Sequence, residues 1–347
     1  MNFIYITLIN LSVLLVLFLV LKKFNLLIDN INTSRHKEIG KINNQPILLG
    51  GLYFVILFII YFFNLGPNIK LILILVFFLG FLSDINFVNN VKLRFLIQTF
   101  LTLSLVIFSD LKIIDLRVSF FNQLLEINTF NVLFTTFCLV ILINGSNFID
   151  GLNALLGGYL LLVLLCLIYL KLTNNNLVIN NFLNIFVLTV SLTFFLILNF
   201  TGKVYFGDGG SYFFSALIGY ILIDLYYLNT SKISPYYIAL LLWYPAFENL
   251  FSLIRRINFK KKISYPDNLH LHHLIYQFFL NERIFEKKNV NQFSSLIILI
   301  FNLPSIIIGT IYFQKTKIII LLIFCNIFLY LFFYIKVLGS KKRNNTL

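Results

Sequence analysis

Apolar residues in this chain fall in long blocks, not at the spacing of a one-sided helix or strand. Crossing the hydrocarbon core takes about 20 mostly apolar residues, each rising ~1.5 Å in a helix. Eleven blocks meet that description, at roughly 3–22, 46–65, 69–83, 93–110, 130–146, 155–172, 182–200, 211–228, 236–253, 293–313 and 317–337. The pattern therefore predicts an all-α integral membrane protein, a polytopic bundle of about eleven (10–11) transmembrane helices. The stretch 111–128 (LKIIDLRVSFFNQLLEIN) is not span-like. Its partial alternation predicts a short extracytoplasmic β-hairpin. Residues 254–292 form the one long polar stretch, expected as a cytoplasmic loop. There is no tandem repeat and no composition break, so residues 1–347 read as a single multi-pass domain.

The first block has no basic segment before it and no small-residue cleavage site, and Lys22 and Lys23 follow it. It reads as a retained span. Eleven spans put the termini on opposite sides. With the N-terminus outside and the C-terminus cytoplasmic, about 20 of the 27 Lys and Arg fall on the cytoplasmic side and about 7 outside, as the positive-inside rule requires. The cytoplasmic set includes Lys22, Lys23, Arg35, Lys37, Lys41, Arg255, Arg256, Lys260–Lys262 and the Lys341–Arg343 tail.

Composition agrees: 59% of the 347 residues are hydrophobic, 12% are charged and 41 are Phe. No soluble domain of this size buries so much apolar surface. In a soluble protein a net charge of +14 would suggest nucleic acid. Here it reads first as topology, with no nucleic-acid partner expected. The run Lys260–Lys262 fits that reading, and attraction of anionic lipid or of a pyrophosphate substrate is its second reading. Cys138, Cys166 and Cys325 lie inside apolar blocks and read as small hydrophobes.

Polar residues this scarce are informative by position. All four histidines (His36, His270, His272, His273) map to predicted cytoplasmic loops, as do Asp84, Asp150, Asp208 and Asp267. Only Asp224 and Glu248 lie well inside predicted spans. A transporter would concentrate ionisable groups near the bilayer midplane. This distribution favours chemistry at the membrane surface.

Four patterns carry the chemistry. FLSD (81–84) precedes Lys92 and Arg94, and a carboxylate beside two cations can order phosphate and magnesium. A solvated helix border would look the same. NGSNFIDGLNALLGG (144–158) spaces Asn144, Asn147 and Asp150 on nearly one helix face, with Gly145, Gly151, Gly157 and Gly158 allowing close approach of a ligand. Its plain reading is an Asn-rich turn. VYFGDGGS (204–211) sets Asp208 between glycines at a helix start, an anion-binding arrangement in which the carboxylate suits Mg²⁺. An ordinary Asp-Gly turn capped by Ser211 is the alternative. PDNLHLHHL (266–274) gathers three histidines; H-x-H-H matches no common zinc spacing, and phosphate recognition is favoured over a metal or a structural turn.

In this order these motifs resemble the polyprenyl-phosphate N-acetylhexosamine-1-phosphate transferases, the MraY/WecA family. The resemblance runs from about residue 35 to about residue 280. SRHKEIGKINNQPILLGG looks like the family's first cytoplasmic loop. FLGFLSD looks like its aspartate-pair motif, and NGSNFIDGLNALLGG like N-x-x-N-x-x-D-G-x-x-G-L. VYFGDGGS fits G-D-x-G-S. RRINFKKKISYPDNLHLHHLI looks like the histidine loop of the WecA-like branch.

The resemblance implies that Asp208 and Asn147 hold Mg²⁺, with Mn²⁺ as a substitute. It implies catalytic roles for Asp84, Asp150 and Asp208, with Asp150 near the nucleotide. Asn153 and Tyr205 would recognise uracil. Lys92, Arg94, Asn144, Gly207, Ser211, His270, His272 and His273 would line the phosphates and the rest of the substrate. Ser83 stands where the family's first aspartate is expected, Ala154 replaces a motif glycine, and Asn268 replaces a usual basic residue.

The implied reaction moves N-acetylhexosamine-1-phosphate, GlcNAc-1-phosphate by default, from a UDP-sugar to undecaprenyl phosphate and releases UMP. It would initiate a cell-envelope polysaccharide such as O-antigen, at the cytoplasmic face of the inner membrane. The expected partners are the UDP-N-acetylhexosamine, undecaprenyl phosphate, the lipid bilayer and, as an option, a second copy of the chain. An MraY-type enzyme using UDP-MurNAc-pentapeptide is the alternative within the family. A multi-span transporter is the alternative outside it, with Asp224 or Glu248 as essential midplane charges.

Overall fold

The computed structural model describes residues 3–29, 46–62, 64–180, 182–258 and 269–344. Arg35, His36, Lys37, Lys41, Lys260–Lys262 and Asp267 lie outside these residues. Fourteen helices follow in order: α1 (Phe3–Lys23), α2 (Gly50–Tyr61), α3 (Pro67–Asp84), α4 (Val91–Ser109), α5 (Ser119–Glu126), α6 (Asn128–Ile149), α7 (Leu155–Thr173), α8 (Phe182–Phe200), α9 (Gly207–Leu228), α10 (Pro235–Leu241), α11 (Trp243–Asn258), α12 (Leu271–Asn281), α13 (Val290–Ile311) and α14 (Thr316–Asn344). Two short strands, β1 (Ile47–Leu48) and β2 (Val204–Tyr205), pair in parallel.

Among the described residues nine helices are long and apolar enough to cross a membrane, or ten if α10 and α11 form one broken span. The protein is a multi-pass membrane protein. All eleven predicted blocks are helical, with two qualifications. The block 46–65 yields the 12-residue α2, too short to cross the core alone. The block 236–253 is broken at Leu242, where α10 and α11 meet at 76°. Pro245 explains the break: it has no N–H to bond the carbonyl four residues back, and its ring crowds the preceding turn.

The hairpin expected at 111–128 is corrected: residues 119–126 are helical and no strand forms in 111–118. Side chains do the work of a partner strand there. Asn131 accepts from the Ile113 amide (3.2 Å) and donates to the Ile113 carbonyl (2.8 Å), while Asn122 accepts from the Leu116 amide (2.9 Å). Phe120, Phe121, Leu124 and Leu125 then follow helical spacing, and Leu125 is the one that packs inward.

The bundle has two distinguishable ends. At one end, the turn after α1 meets β1 through a bond from the Leu48 amide to the Leu27 carbonyl, and β1 pairs with β2 just before α9. At the other, Arg117 after α4 donates to the Gln314 carbonyl and to Thr316, where α14 begins. α14 then runs back, so that Tyr334 receives a bond from Arg255 near the end of α11. The helices that carry the two chain ends thus run from the second end to the first. The packing of the bundle centres on α9, which contacts α2, α3 and α6.

Candidate functional site

The four sequence motifs meet at the end of the bundle that holds β1 and β2. The close of α3, the start of α4, the close of α6, the start of α9 and the start of α12 all contribute.

The tightest part surrounds Asp208. Gly207 adopts φ +70°, and a Cβ there would stand 2.6 Å from Asp84 Oδ2, so only glycine fits. A Cβ on Gly80 of α3 would lie 2.4 Å from the Asp208 carbonyl oxygen. Gly80 lets α3 and α9 touch backbone to backbone, and Gly207 leaves room for the Asp84 carboxylate. The contact brings Asp84, the last residue of α3, under the first turn of α9. Its Oδ1 accepts from the Asp208 amide (2.8 Å) and its Oδ2 from the Gly209 amide (3.0 Å). A helix start leaves such amides without partners in its own helix and favours negative charge. Asp84 therefore caps α9 from a neighbouring helix and fixes the orientation of Asp208.

Asp208 Oδ2 accepts two bonds: from the Ser83 hydroxyl (2.7 Å) and from Arg94 Nη1 of α4 (2.9 Å). Arg94 also donates to the Ser83 oxygen. Ser83, Arg94 and Asp208 thus form a closed triangle across three helices. Ser211, one turn further along α9, donates to Asn147 Oδ1 (3.2 Å) and to the Asp208 carbonyl (3.2 Å), tying α6 to the same corner.

Mg²⁺ takes hard oxygen donors, with one or two carboxylates completed by substrate phosphates. Asp208 offers a carboxylate and Asn147 a carboxamide oxygen, on residues that the Ser211 hydroxyl joins through the Asp208 main-chain carbonyl, and that donor set fits. No group of three or more His, Cys, Asp or Glu suited to a metal occurs among the described residues. An ion held here would complete its shell with water or substrate oxygens.

The second part is the histidine segment. Glu248 of α11 is fully buried. Its Oε2 lies 2.9 Å from His270 Nδ1, and its Oε1 accepts from the Leu271 amide (3.0 Å). His272 Nδ1 stands 3.9 Å from the same carboxylate, beyond hydrogen-bond range. Burial holds the His272 imidazole below the usual histidine range despite that neighbour. A Cβ on Gly151 would meet His273 Cε1 at 2.9 Å and His272 Nε2 at 3.1 Å. The Asp150–Gly151 turn and the histidines are therefore in contact across the motifs.

The remaining expected residues spread around this corner. Asn153 lies in a turn held by Asn291, which accepts from the Asn153 amide (2.7 Å), and by Asn199, which accepts from the Ala154 amide (2.8 Å). Ala154 itself takes a left-handed φ of 62°. Tyr205 sits half-buried in β2, and Lys92 is exposed in the first turn of α4. Asn144 lies nearly two helical turns before Asp150 and bonds Gln98 (3.1 Å), on the inner side of the site.

Two readings change. Among the motif glycines, only Gly151 meets the histidines. Gly145 admits the α10–α11 break, its Cβ position lying 2.0 Å from the Pro245 carbonyl oxygen, and Gly157 and Gly158 admit Leu196 and Leu299. Glu248 anchors the histidine segment instead of standing as a lone midplane charge, which removes one of the two residues the transporter alternative relied on. Glu248 was detectable as the single acid in the block 236–253, since a carboxylate in such a place needs a partner.

Comparisons bear on the same residues. The family profile described as "Glycosyl transferase family 4" matches residues 67–226, which includes Asp84, Asp150 and Asp208. A Bacillus subtilis (strain 168) protein named "Probable undecaprenyl-phosphate N-acetylglucosaminyl 1-phosphate transferase" is 30% identical over 256 residues, covering 72% of this chain and 68% of the relative. The undecaprenyl-phosphate alpha-N-acetylglucosaminyl 1-phosphate transferase of Escherichia coli (strain K12) is 28% identical over 206 residues, covering 57% of this chain and 54% of the relative.

Proposed function

This chain belongs to glycosyl transferase family 4, and from that premise we propose that it transfers N-acetylhexosamine-1-phosphate from a UDP-sugar to undecaprenyl phosphate. The names of its relatives support the lipid acceptor and make GlcNAc-1-phosphate the first donor to test. The observation that carries the reading is the Ser83–Arg94–Asp208 triangle, joined through Ser211 to Asn147. It sets a cation, a carboxylate and an amide oxygen at one corner of a membrane bundle.

In the proposed reaction an oxygen of the lipid phosphate attacks the β-phosphorus of the UDP-sugar. The new P–O bond forms as the bond to the bridging oxygen breaks, and UMP departs with that electron pair. A lipid phosphate is already anionic near neutral pH, so no strong base is required, and in-line positioning with charge neutralisation does most of the work. Bound at Asp208 and Asn147, Mg²⁺ would supply part of that neutralisation. Arg94 and Lys92 supply fixed positive charge at the start of α4. Asp84 holds the first turn of α9 so that Asp208 keeps its direction. The histidine segment backs the Asp150–Gly151 turn and presents imidazole edges toward phosphate. Asn153 and Tyr205, on the two segments beside that turn, receive the uracil. We place this end of the bundle at the cytoplasmic face, where Lys22, Lys23, Arg255 and Arg256 close α1 and α11.

Membranes containing the full chain, given radiolabelled UDP-GlcNAc, undecaprenyl phosphate and Mg²⁺, should form a lipid-soluble labelled product. Asp208→Ala should reduce that product to background. Undiminished transfer by that variant would overturn the site. A donor panel including UDP-GalNAc and UDP-MurNAc-pentapeptide identifies the sugar.

A further inference from the structure

A cavity of about 190 Å³ opens at the end of the bundle opposite the site just described. Leu167, Leu217 and Ile221 form its apolar wall, and the Asn64–Gly66 turn between α2 and α3 forms its rim. Two polar groups of opposite character face this space. Asp224, in the last turns of α9, has no ion-pair partner among the described residues, and its Oδ2 accepts one long bond, from Asn180 Nδ2 (3.3 Å). Asn184, in the first turn of α8, is 5% exposed, and its Nδ2 is buried without a hydrogen-bond partner.

A carboxylate has room for about four hydrogen bonds, and the half-exposed Asp224, beside an apolar wall, uses one of them. A buried amide donor without an acceptor carries a desolvation cost. One ligand can answer both needs. We propose that this cavity binds a primary ammonium group that carries an oxygen acceptor a few bonds away, with the ammonium on Asp224 and the oxygen on Asn184 Nδ2. Such a group is found in a free amino alcohol and in an aminoethyl-phosphate lipid headgroup. The position of the cavity, at a helix-end rim with apolar walls, suits either source.

The test uses the full chain in detergent. Ethanolamine should raise its melting midpoint, whereas ethylamine, which lacks the acceptor, and ethanol, which lacks the ammonium, should each need about tenfold more for the same shift. Asp224→Asn should abolish the ethanolamine response, and Asn184→Ala should erase the advantage over ethylamine. Transfer activity of both variants should stay at the wild-type level, so this result is separate from the fate of the transferase reading. Native mass spectrometry after reconstitution with phosphatidylethanolamine or phosphatidylglycerol distinguishes the sources. Selective retention of the former assigns a headgroup, and an ethanolamine response without retention assigns a soluble amine. Equal responses to all three small probes together with no lipid preference would overturn the proposal, as would a wild-type response in Asp224→Asn. The ranking of probes on the unmodified chain decides the matter even if a variant fails to fold.

Discussion

Arg94 Nη1 lies 2.9 Å from Asp208 Oδ2, joining the first turn of α4 to the first turn of α9. The pair is part-buried, and the cation occupies the side of the carboxylate nearest Ser83. Replacing Arg94 by Gln should leave the bundle folded, because Asp84 still caps α9. Transfer should fall by about a hundredfold, the scale of losing one charge-stabilising donor. Assays of membranes with matched protein content check this, and near-normal rates would show that Arg94 serves packing alone.

Ser83→Asp tests the departure from the family pattern. A carboxylate at 83 would compete for Arg94 and release Asp208 Oδ2. The Mg²⁺ concentration giving half-maximal transfer should then fall. A titration in which it rises would mean that repulsion between the two carboxylates outweighs the released oxygen.

Glu248→Ala removes the shared partner of His270 and the Leu271 amide from a fully enclosed position. Breaking a buried pair from one side costs roughly 3 kcal/mol. The melting midpoint in detergent should drop clearly, and Glu248→Gln, which keeps an acceptor for the Leu271 amide, should drop less. Equal losses would assign the effect to the carboxylate facing His270, since Gln keeps the volume and the Leu271 bond.

Ala154→Gly acts in the opposite direction. Ala154 holds φ 62°, a conformation that costs an L-residue about 1 kcal/mol and glycine almost nothing. The variant should gain up to that amount in thermal stability. A loss would show that the turn held by Asn199 and Asn291 bears no strain.

His272 gives the protein a pH dependence of known sign. Its folded-state pKa lies below its unfolded value of 6.5, because burial disfavours the imidazolium. The unfolded chain therefore binds the extra proton first. This contribution to stability is intact above about pH 6.5 and is lost as pH falls through the folded value. Melting midpoints of wild type and His272→Gln should converge on acidification; a constant gap between them would exclude the effect.

The spans were legible because a membrane helix writes itself as one apolar block, and few alternatives satisfy that length. The break within 236–253 was less so: only Pro245 marks it, and the 76° turn also depends on Gly145 of a distant helix. The hairpin failed because alternation near Ile113 is real, while its strand partner is replaced by the Asn131 carboxamide, which no local pattern reveals. At the site, Asp208 and the histidines stood out because polar residues are rare here. The capping role of Asp84 and the link from Glu248 to His270 did not, since both are made between helices far apart in the chain.

The pairing of β1 with β2 also imposes a schedule. Seven helices separate Ile47 from its partner Val204, and the Gly51 amide likewise waits for the Phe206 carbonyl (3.3 Å). A chain emerging from its N-terminus must insert most of its spans before this clasp can close. Assembly of the corner around Asp208 is thus a late event in biogenesis. A nascent chain stopped after α8 would already resemble a membrane protein, yet it would hold only the halves of its site contributed by α3, α4 and α6.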